Sequence, residues 1–313
     1  RFVTYIRIPT IISMIVVALC YIIKEQNMEQ ILQVFISGIF SGGVYALVSV
    51  GLALIFGIIG LVNFAHGEYL MLAMYFAYWM YNIIGLDPYQ SLLINLAVMA
   101  IIGYLTYKII MERVLEADHS IQIILTLALS MVLQNLALML WKADYRNIRI
   151  DMTTDTTHIG FLTLSTPRVV AFVIAIGASV LLYMFLQKTY TGAAMRAVAQ
   201  NGKAAQLMGI NLKRTYGLAC TIGITLVGLA GLLLSPIYPA FPLVGSNFST
   251  LAFIVVVIGG LTSIPGAIMG GLLIGVVESF AGYFAGPAYQ QAAYFLLFIL
   301  VLIFKPNGLF GRS

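Results

Sequence analysis

Apolar runs of membrane-spanning length follow one another along nearly the whole chain, separated by short polar breaks. A helix needs about 20 apolar residues to cross the hydrocarbon, and the runs are of that order rather than the short alternating segments of an outer-membrane barrel. Gln90 to Met111, Ile121 to Trp141, Val169 to Leu186, Tyr216 to Leu234 and Ala292 to Phe304 read as spans. Ile31 to Gly60 is interrupted by Ser41, Gly42, Gly43 and Gly57, ends in Leu61-Val62-Asn63-Phe64-Ala65-His66-Gly67-Glu68, and gives way to apolar sequence again from Tyr69 to Ile84. Leu251 to Tyr283 is too long for one span and is broken at Gly259-Gly260-Leu261-Thr262-Ser263-Ile264-Pro265-Gly266. Ile8 to Ile23 is an apolar segment of marginal length, an added span or an uncleaved signal anchor, so residues 1–30 are set apart from a membrane domain at 31–313. The fold class this predicts is all-α: a polytopic transmembrane bundle of about 8 to 10 membrane segments, two of them broken or re-entrant.

Composition strengthens that class. Hydrophobic residues make up 61% and charged ones 9%, with a mean hydropathy of +1.01, whereas soluble domains are about a quarter charged. The net charge of +5 does not point to nucleic acid, because the basic residues sit in loops where topology requires them. Placing the loop 191–214 and the C-terminus in the cytoplasm puts Arg1, Arg7, Lys108, Arg113, Lys188, Arg196, Lys203, Lys213, Arg214, Lys305 and Arg312 inside. Lys24, Lys142, Arg146, Arg149 and Arg168 then lie outside, and eleven against five supports that orientation. Cys20 and Cys220 fall in apolar runs without metal-ligand spacing, which argues against a disulfide or a metal site. No cofactor is expected.

The two breaks resemble each other: Gly60-Leu61-Val62-Asn63 before Gly67, and Gly260-Leu261-Thr262-Ser263 before Gly266. Transporters built from structural repeats bind substrate near such interrupted helices, although Gly-rich breaks also serve simply as packing kinks. Asn63, His66, Gly67, Thr262, Ser263, Pro265 and Gly266 are therefore candidates for the translocation pathway. Ionisable groups within spans are functional candidates by default, which adds His66, Glu68 and Glu278. Against a proton role stand two structural readings: His66 tying down backbone carbonyls in a turn at the cytoplasmic end, and Glu278 hydrogen-bonding between helices. Gly266/Gly270 and Gly271/Gly275 form two overlapping small-xxx-small pairs suited to tight helix contact.

Thr191 to Arg214 is the polar exception. It carries Arg196, Lys203, Lys213 and Arg214 and no acid. Ala193 to Gln200 and Lys203 to Met208 are strong helix formers, Asn201-Gly202 separates them, and Gly209 is placed to close the second helix. Ala204, Leu207 and Met208 make a small apolar surface of the kind that docks in a partner's groove. The chain has no GxxxxGK[ST] loop, so an ATP-driven transporter of this sequence requires another subunit for hydrolysis.

These stretches carry a resemblance. Gly60 to Glu68, Arg196-Ala197-Val198-Ala199-Gln200, Lys203 to Asn211 and Gly259 to Ala267 resemble, in family order, the permease subunits of bacterial branched-chain amino acid ABC importers. The likeness runs from about Met28 to Arg312. It implies a multi-pass protein of the bacterial cytoplasmic membrane that pairs with a second related permease. Two cytoplasmic ATPase subunits and an extracytoplasmic binding protein delivering leucine, isoleucine or valine complete the implied assembly. It also implies that Lys203 to Gly209, with Ala205 at its centre and Arg196 preceding it, is a coupling helix. Lys203 stands where the general ABC-permease motif has Glu, which puts in doubt the ion pair usually assigned to that Glu. The same architecture carrying urea, amides or another small solute, and an ion-coupled secondary transporter using His66, Glu68 or Glu278, are the alternatives.

Overall fold

In a computed structural model of the chain, residues 28–310 are described apart from 149, 151–155, 160 and 161. The apolar segment Ile8 to Ile23 lies outside the described residues. Eleven α-helices follow in order, and their names here are α1 (Met28–Ile59), α2 (His66–Trp79), α3 (Leu92–Ile109), α4 (His119–Trp141), α5 (Thr166–Lys188), α6 (Tyr190–Gln200), α7 (Gly202–Leu207), α8 (Leu212–Leu234), α9 (Val244–Gly259), α10 (Ile264–Phe284) and α11 (Gln290–Phe304). Among the described residues, seven segments are long and apolar enough to cross a membrane. They start at Met28, Leu92, His119, Thr166, Leu212, Ile264 and Pro287. α9 has 16 residues, about 24 Å of helix, and falls short of the hydrocarbon thickness of about 30 Å. A five-residue π-turn, Met80–Ile84, extends α2, which alone has 14 residues.

The expected all-α class holds with one addition. Thr156–Ile159 and Leu162–Ser165 pair as an antiparallel β-hairpin directly before α5. The polar stretch Lys142 to Arg168 reads as loop in the sequence, whereas the structure pairs the backbones of four residues on each side of a turn within it.

α1 is the axis of the bundle. Every residue from Gly42 to Ile55 is buried, because α10, α8, α5 and α9 all pack against it. Small residues make this possible on the α10 side. A Cβ at Gly42 would lie 2.8 Å from the Gly271 carbonyl oxygen, and one at Gly275 would lie 2.4 Å from the Gly42 backbone. The two small-xxx-small pairs of α10 thus serve different neighbours: Gly271 and Gly275 meet α1, whereas Gly266 and Gly270 meet Gly259 and Val255 of α9. α8 likewise brings Gly223 against the Gly51 carbonyl of α1 and Gly231 against the Leu70 carbonyl of α2.

After α8 the chain cannot continue as helix through Pro236, Pro239 and Pro242. It runs to α9 and pairs there with the loop after α4: Arg146 and Ala240 exchange backbone hydrogen bonds, both 2.9 Å. The Arg146 guanidinium lies over the rings of Tyr78 and Trp79, 5.3 and 5.4 Å from their centroids. One end of the bundle therefore carries the β-hairpin, and the opposite end carries α6 and α7.

Candidate functional site

The α6–α7 segment is assembled by three caps. Thr189 accepts from the Gly192 amide at 3.0 Å, Asn201 from that of Ala204 at 3.0 Å, and Asn211 from that of Arg214 at 3.0 Å. Each polar residue thereby starts a new helix and satisfies an amide that a helix start leaves free. α6 buries Gly192, Met195 and Val198 against the bundle. α7 has six residues and is closed by Gly209, whose φ of 83° a glycine adopts without strain. The Ile210 amide reaches back to the Ala205 carbonyl at 3.1 Å and the Gly209 amide to that of Gln206 at 3.0 Å, a Schellman closure.

This closure leaves Leu207 89% and Met208 84% exposed beside exposed Ala204 and Lys203. Two sequence candidates point elsewhere. Ala205 is buried toward the bundle, and Arg196 is bound to Gln187 at the end of α5, so it braces α6. Tyr190, at the start of α6, is 89% exposed as well. The acid absent from the loop arrives from another one. Glu112 meets Lys108 at 2.8 Å and Lys213 at 3.3 Å, while the Tyr107 hydroxyl donates to the Lys213 carbonyl at 2.8 Å. The start of α8 is thus tied to the end of α3.

At the first break Gly60 turns the chain with φ 75°. Asn63 accepts from the Ala65 amide at 3.1 Å, and its carbonyl accepts from the His66 amide at 3.2 Å. His66 does tie down a carbonyl, that of Val48 at 3.0 Å, so Nε2 carries the proton in that bond. The contact lies against the middle of α1, however, and not in a turn at the end of the bundle, because residues 60–65 run back along α1 before α2 begins. The Gly67 amide donates to the Ser249 hydroxyl at 2.7 Å, and Ser249 donates to the Phe64 carbonyl at 3.3 Å, which seats the start of α2 on α9. Glu68 is fully buried and held by Gln134 at 2.7 Å and Ser130 at 3.1 Å.

Those two residues belong to a stripe on α4. Gln122 donates to the carbonyls of Val114, Leu115 and Ala117, Thr126 to that of Val62, and Ser130 and Gln134 to Glu68. Their four-residue spacing places them on one helix face, a signal present in the sequence that was not read.

At the second break Gly260 turns with φ 100°, Ser263 accepts from the Gly266 amide at 3.1 Å, and Pro265 occupies the first turn of α10. The helices on either side form a hairpin in which Gly259 and Gly266 touch backbone to backbone. Thr262 and Pro265 are exposed, and Thr262 lies beside Gly57 of α1. The C-terminal segment closes over this turn, with the Leu309 amide bound to the Ile258 carbonyl at 2.7 Å.

Glu278 belongs to neither break. It lies on α10 toward the hairpin end, next to Ser279, whose hydroxyl a Cβ at Gly38 of α1 would meet at 3.1 Å. In front of Tyr45 a narrow cleft is lined by Phe40, Ser41, Val44, Arg168, Leu234, Ile237 and Tyr238. The structure therefore separates the candidates into an exposed apolar surface at the loop end, two turns, and Glu278 toward the hairpin end.

A bundle of membrane-spanning helices, two of its connections broken within the apolar layers, with an exposed apolar knob at one end, is the architecture of a multi-pass membrane transport protein. Residues 34–304 match the family described as branched-chain amino acid transport system / permease component, and the chain belongs to that family. It is 31% identical over 294 residues to the high-affinity branched-chain amino acid transport system permease protein BraD of Pseudomonas aeruginosa, covering 90% of this chain and 96% of the relative. LivH of Escherichia coli K12, a permease protein of the same description, is 31% identical over 304 residues, covering 92% and 98%. A probable branched-chain amino acid transport permease protein LivH of Methanocaldococcus jannaschii is 28% identical over 310 residues, covering 93% and 95%.

Proposed function

We propose that the chain is the substrate-conducting permease subunit of an ABC importer in the bacterial cytoplasmic membrane, carrying leucine, isoleucine or valine. A second, related permease completes the membrane part, two separate ATPase subunits hydrolyse ATP, and an extracytoplasmic binding protein delivers the cargo at the β-hairpin end. The loop end and the C-terminus face the cytoplasm. The observation that carries this reading is α7, a one-turn-and-a-half helix that offers Ala204, Leu207 and Met208 to solvent and ends abruptly at Gly209. Apolar side chains exposed this far on a short capped helix suit a groove on a soluble partner. The family match and the names of the relatives support the cargo class.

The packing offers a route for force. Closure of the ATPase pair pushes α7, whose C-terminal residues lead directly through the Asn211 cap into α8. The Glu112–Lys213 pair and the Tyr107 bond make α3 share the load. α8 in turn rests backbone against backbone on α1 at Gly51 and on α2 at Leu70, on either side of the first break. A rigid shift of α8 therefore bears on Asn63, His66 and Gly67, and the turn at Thr262 to Gly266 yields with it through Gly57 of α1. Lys203 sits at the rim of the docking face, Ala205 anchors it, and Arg196 fixes its angle to α5.

Replacing Gly209 by leucine tests the coupling role. The position has open space around a Cβ, so the bundle is undisturbed, while the left-handed backbone is strained by about 1–2 kcal/mol and a bulky side chain enters the docking face. The expected result is loss of uptake and ATP hydrolysis that no longer depends on the binding protein, with membrane insertion intact. Normal uptake by this variant would remove α7 from the mechanism.

A further inference from the structure

α4 repeats itself on the side it turns to the bundle. Leu125-Thr126, Leu129-Ser130 and Leu133-Gln134 set an apolar and a hydrogen-bonding side chain together three times at intervals of four residues, and Gln122 continues the polar row toward the loop end. Side chains four apart form one ridge along a helix. Gln122, Thr126 and Ser130 are buried and Gln134 is half-buried, while Leu129 and Leu133 pack against the core. Ile124, Met131, Met139 and Leu140 are exposed on the other side. α4 therefore meets the bundle through a ridge whose steps are chemically alike. The bundle answers with acceptors: the Val62 carbonyl takes the Thr126 hydroxyl at 3.2 Å, and Glu68 Oε1 takes Ser130 at 3.1 Å and Gln134 at 2.7 Å.

We propose that α4 has two registers on the bundle, one repeat apart, and that the present structure holds one of them. Advancing α4 by four residues toward the hairpin end is a translation of about 6 Å with a rotation of about 40°. Thr126 and Ser130 then take the places of Ser130 and Gln134 at Glu68, Gln122 takes that of Thr126 at Val62, and Leu125 and Leu129 take the seats of Leu129 and Leu133. Both acceptors on the bundle keep their donors, so the step leaves no buried oxygen bare that is paired now. The opposite step is not equivalent, because it brings Leu138 to the place of Gln134 and leaves Glu68 with one donor. A ratchet of one element past another by about one turn is a known way for a packed helix to hold two discrete positions.

Both ends of α4 have slack for the step. At the loop end Gln122 binds the carbonyls of Val114, Leu115 and Ala117, which gathers the connection from α3 into a compact turn after the 3₁₀ segment Met111–Val114. Once Gln122 moves to Val62, residues 110–118 are free to lengthen, to about 30 Å at full extension, and their half-buried carbonyls pass to water. At the hairpin end α4 stops at Lys142, a non-glycine residue held at φ 60°, a conformation its surroundings must enforce. The present register is fixed by Trp141, whose ring stacks on the buried Tyr75 ring with centroids 4.0 Å apart. One repeat earlier stands Ala137, which has no ring to offer Tyr75, so this stack is the detent that the step must break. In the advanced register Gln122 fastens the first break in place of Thr126, and α4 protrudes about 6 Å further at the hairpin end. The two registers belong to the permease itself and do not rest on the cargo or the ATPase subunits proposed above.

The test is a spin-label distance between Ile109→Cys, at the loop end of α3, and Met139→Cys, near the hairpin end of α4, both exposed positions. It is measured on the full chain in its assembled complex in nanodiscs, with Cys20→Ala and Cys220→Ala. The chain with no further change, and Trp141→Phe, which keeps a ring against Tyr75, are expected to show one main distance. Trp141→Ala, and independently Tyr75→Leu, are expected to raise several-fold the share of a second, discrete distance about 5–6 Å longer. Adding Leu125→Trp, which has to enter the Leu129 seat only after the step, is expected to abolish that second distance. A single unchanged distance in both Trp141→Ala and Tyr75→Leu overturns the proposal. So does a continuous broadening without a second peak, because α4 then comes loose instead of stepping, and so does a second distance that survives Leu125→Trp. ATP-driven leucine uptake by the wild-type complex with its binding protein, measured separately, bears on the proposed function alone.

Discussion

Replacing both Leu207 and Met208 by serine separates docking from folding more cleanly than any other change in the chain. Both side chains are more than four-fifths exposed, so the permease loses almost no internal contact, and the expected change in its own stability lies within about 0.5 kcal/mol. Seated in a groove, each would leave water almost completely. Burial of a Leu or Met side chain is worth about 1.5–3 kcal/mol, so at roughly 2 kcal/mol each substitution weakens binding of the ATPase by about 30-fold. The residues are neighbours, so the pair is expected to lose somewhat less than the several-hundredfold product of the two effects. The assay is titration of the isolated ATPase subunit onto permease complexes in nanodiscs, with thermal unfolding of the same samples. Unchanged affinity in the double variant would refute the docking face. So would an affinity loss accompanied by a large fall in melting temperature, because it would mean that these side chains hold the permease itself together.

The remaining expectations concern the breaks. Gly67→Ala is expected to cost about 3 kcal/mol or more, because its Cβ would lie 2.0 Å from the Gly245 carbonyl oxygen and 2.8 Å from the Ser249 amide, whereas Gly60→Ala meets nothing within 4 Å and costs only the roughly 1–2 kcal/mol of a left-handed alanine. Melting temperatures in one detergent compare them, and equal losses would contradict the α2–α9 contact. Gln134→Leu leaves the buried Glu68 carboxyl with Ser130 as its only donor among the described residues and is expected to destabilise by about 1.5–3 kcal/mol, with partial recovery when Glu68→Gln is added. If the second substitution makes the protein less stable instead, the two side chains do not act as a pair.

The α6–α7 segment was largely legible in the sequence because its determinants are local. Asn201 as the separator and Gly209 as the closing residue were read from local chemistry, since a cap needs only its own neighbours to take effect, whereas the Asn211 cap was not read. The orientations of Ala205 and Arg196 were not legible, since burial of the first and the bond of the second to Gln187 depend on where the bundle stands. The breaks were found by Gly60 and Gly260, yet their resemblance conceals a difference. At the first a 32-residue helix precedes a 14-residue one, and at the second a 16-residue helix precedes a 21-residue one. What the two stretches share is turn chemistry, and the order of the helices around them is opposite. Glu278 was visible as an ionisable group in an apolar run, whereas the cleft in front of Tyr45 brings Arg168 and Tyr238 to α1 from two distant parts of the chain, and hydropathy holds no record of such convergence.

The clasp around Glu68 also has a consequence in time. Gln134 lies 66 residues beyond Glu68, and Ser249 lies 182 residues beyond Gly67. At about 5–20 residues per second of synthesis, the carboxylate leaves the ribosome roughly 3–13 s before its amide partner, and the start of α2 waits roughly 9–36 s for the hydroxyl that seats it. The nascent protein must therefore harbour an unpartnered acid at the bilayer for many seconds. α2 has to be sheltered by α1 or by the insertion machinery until α4 arrives, and chains slowed between Glu68 and Gln134 are the ones most exposed to quality control.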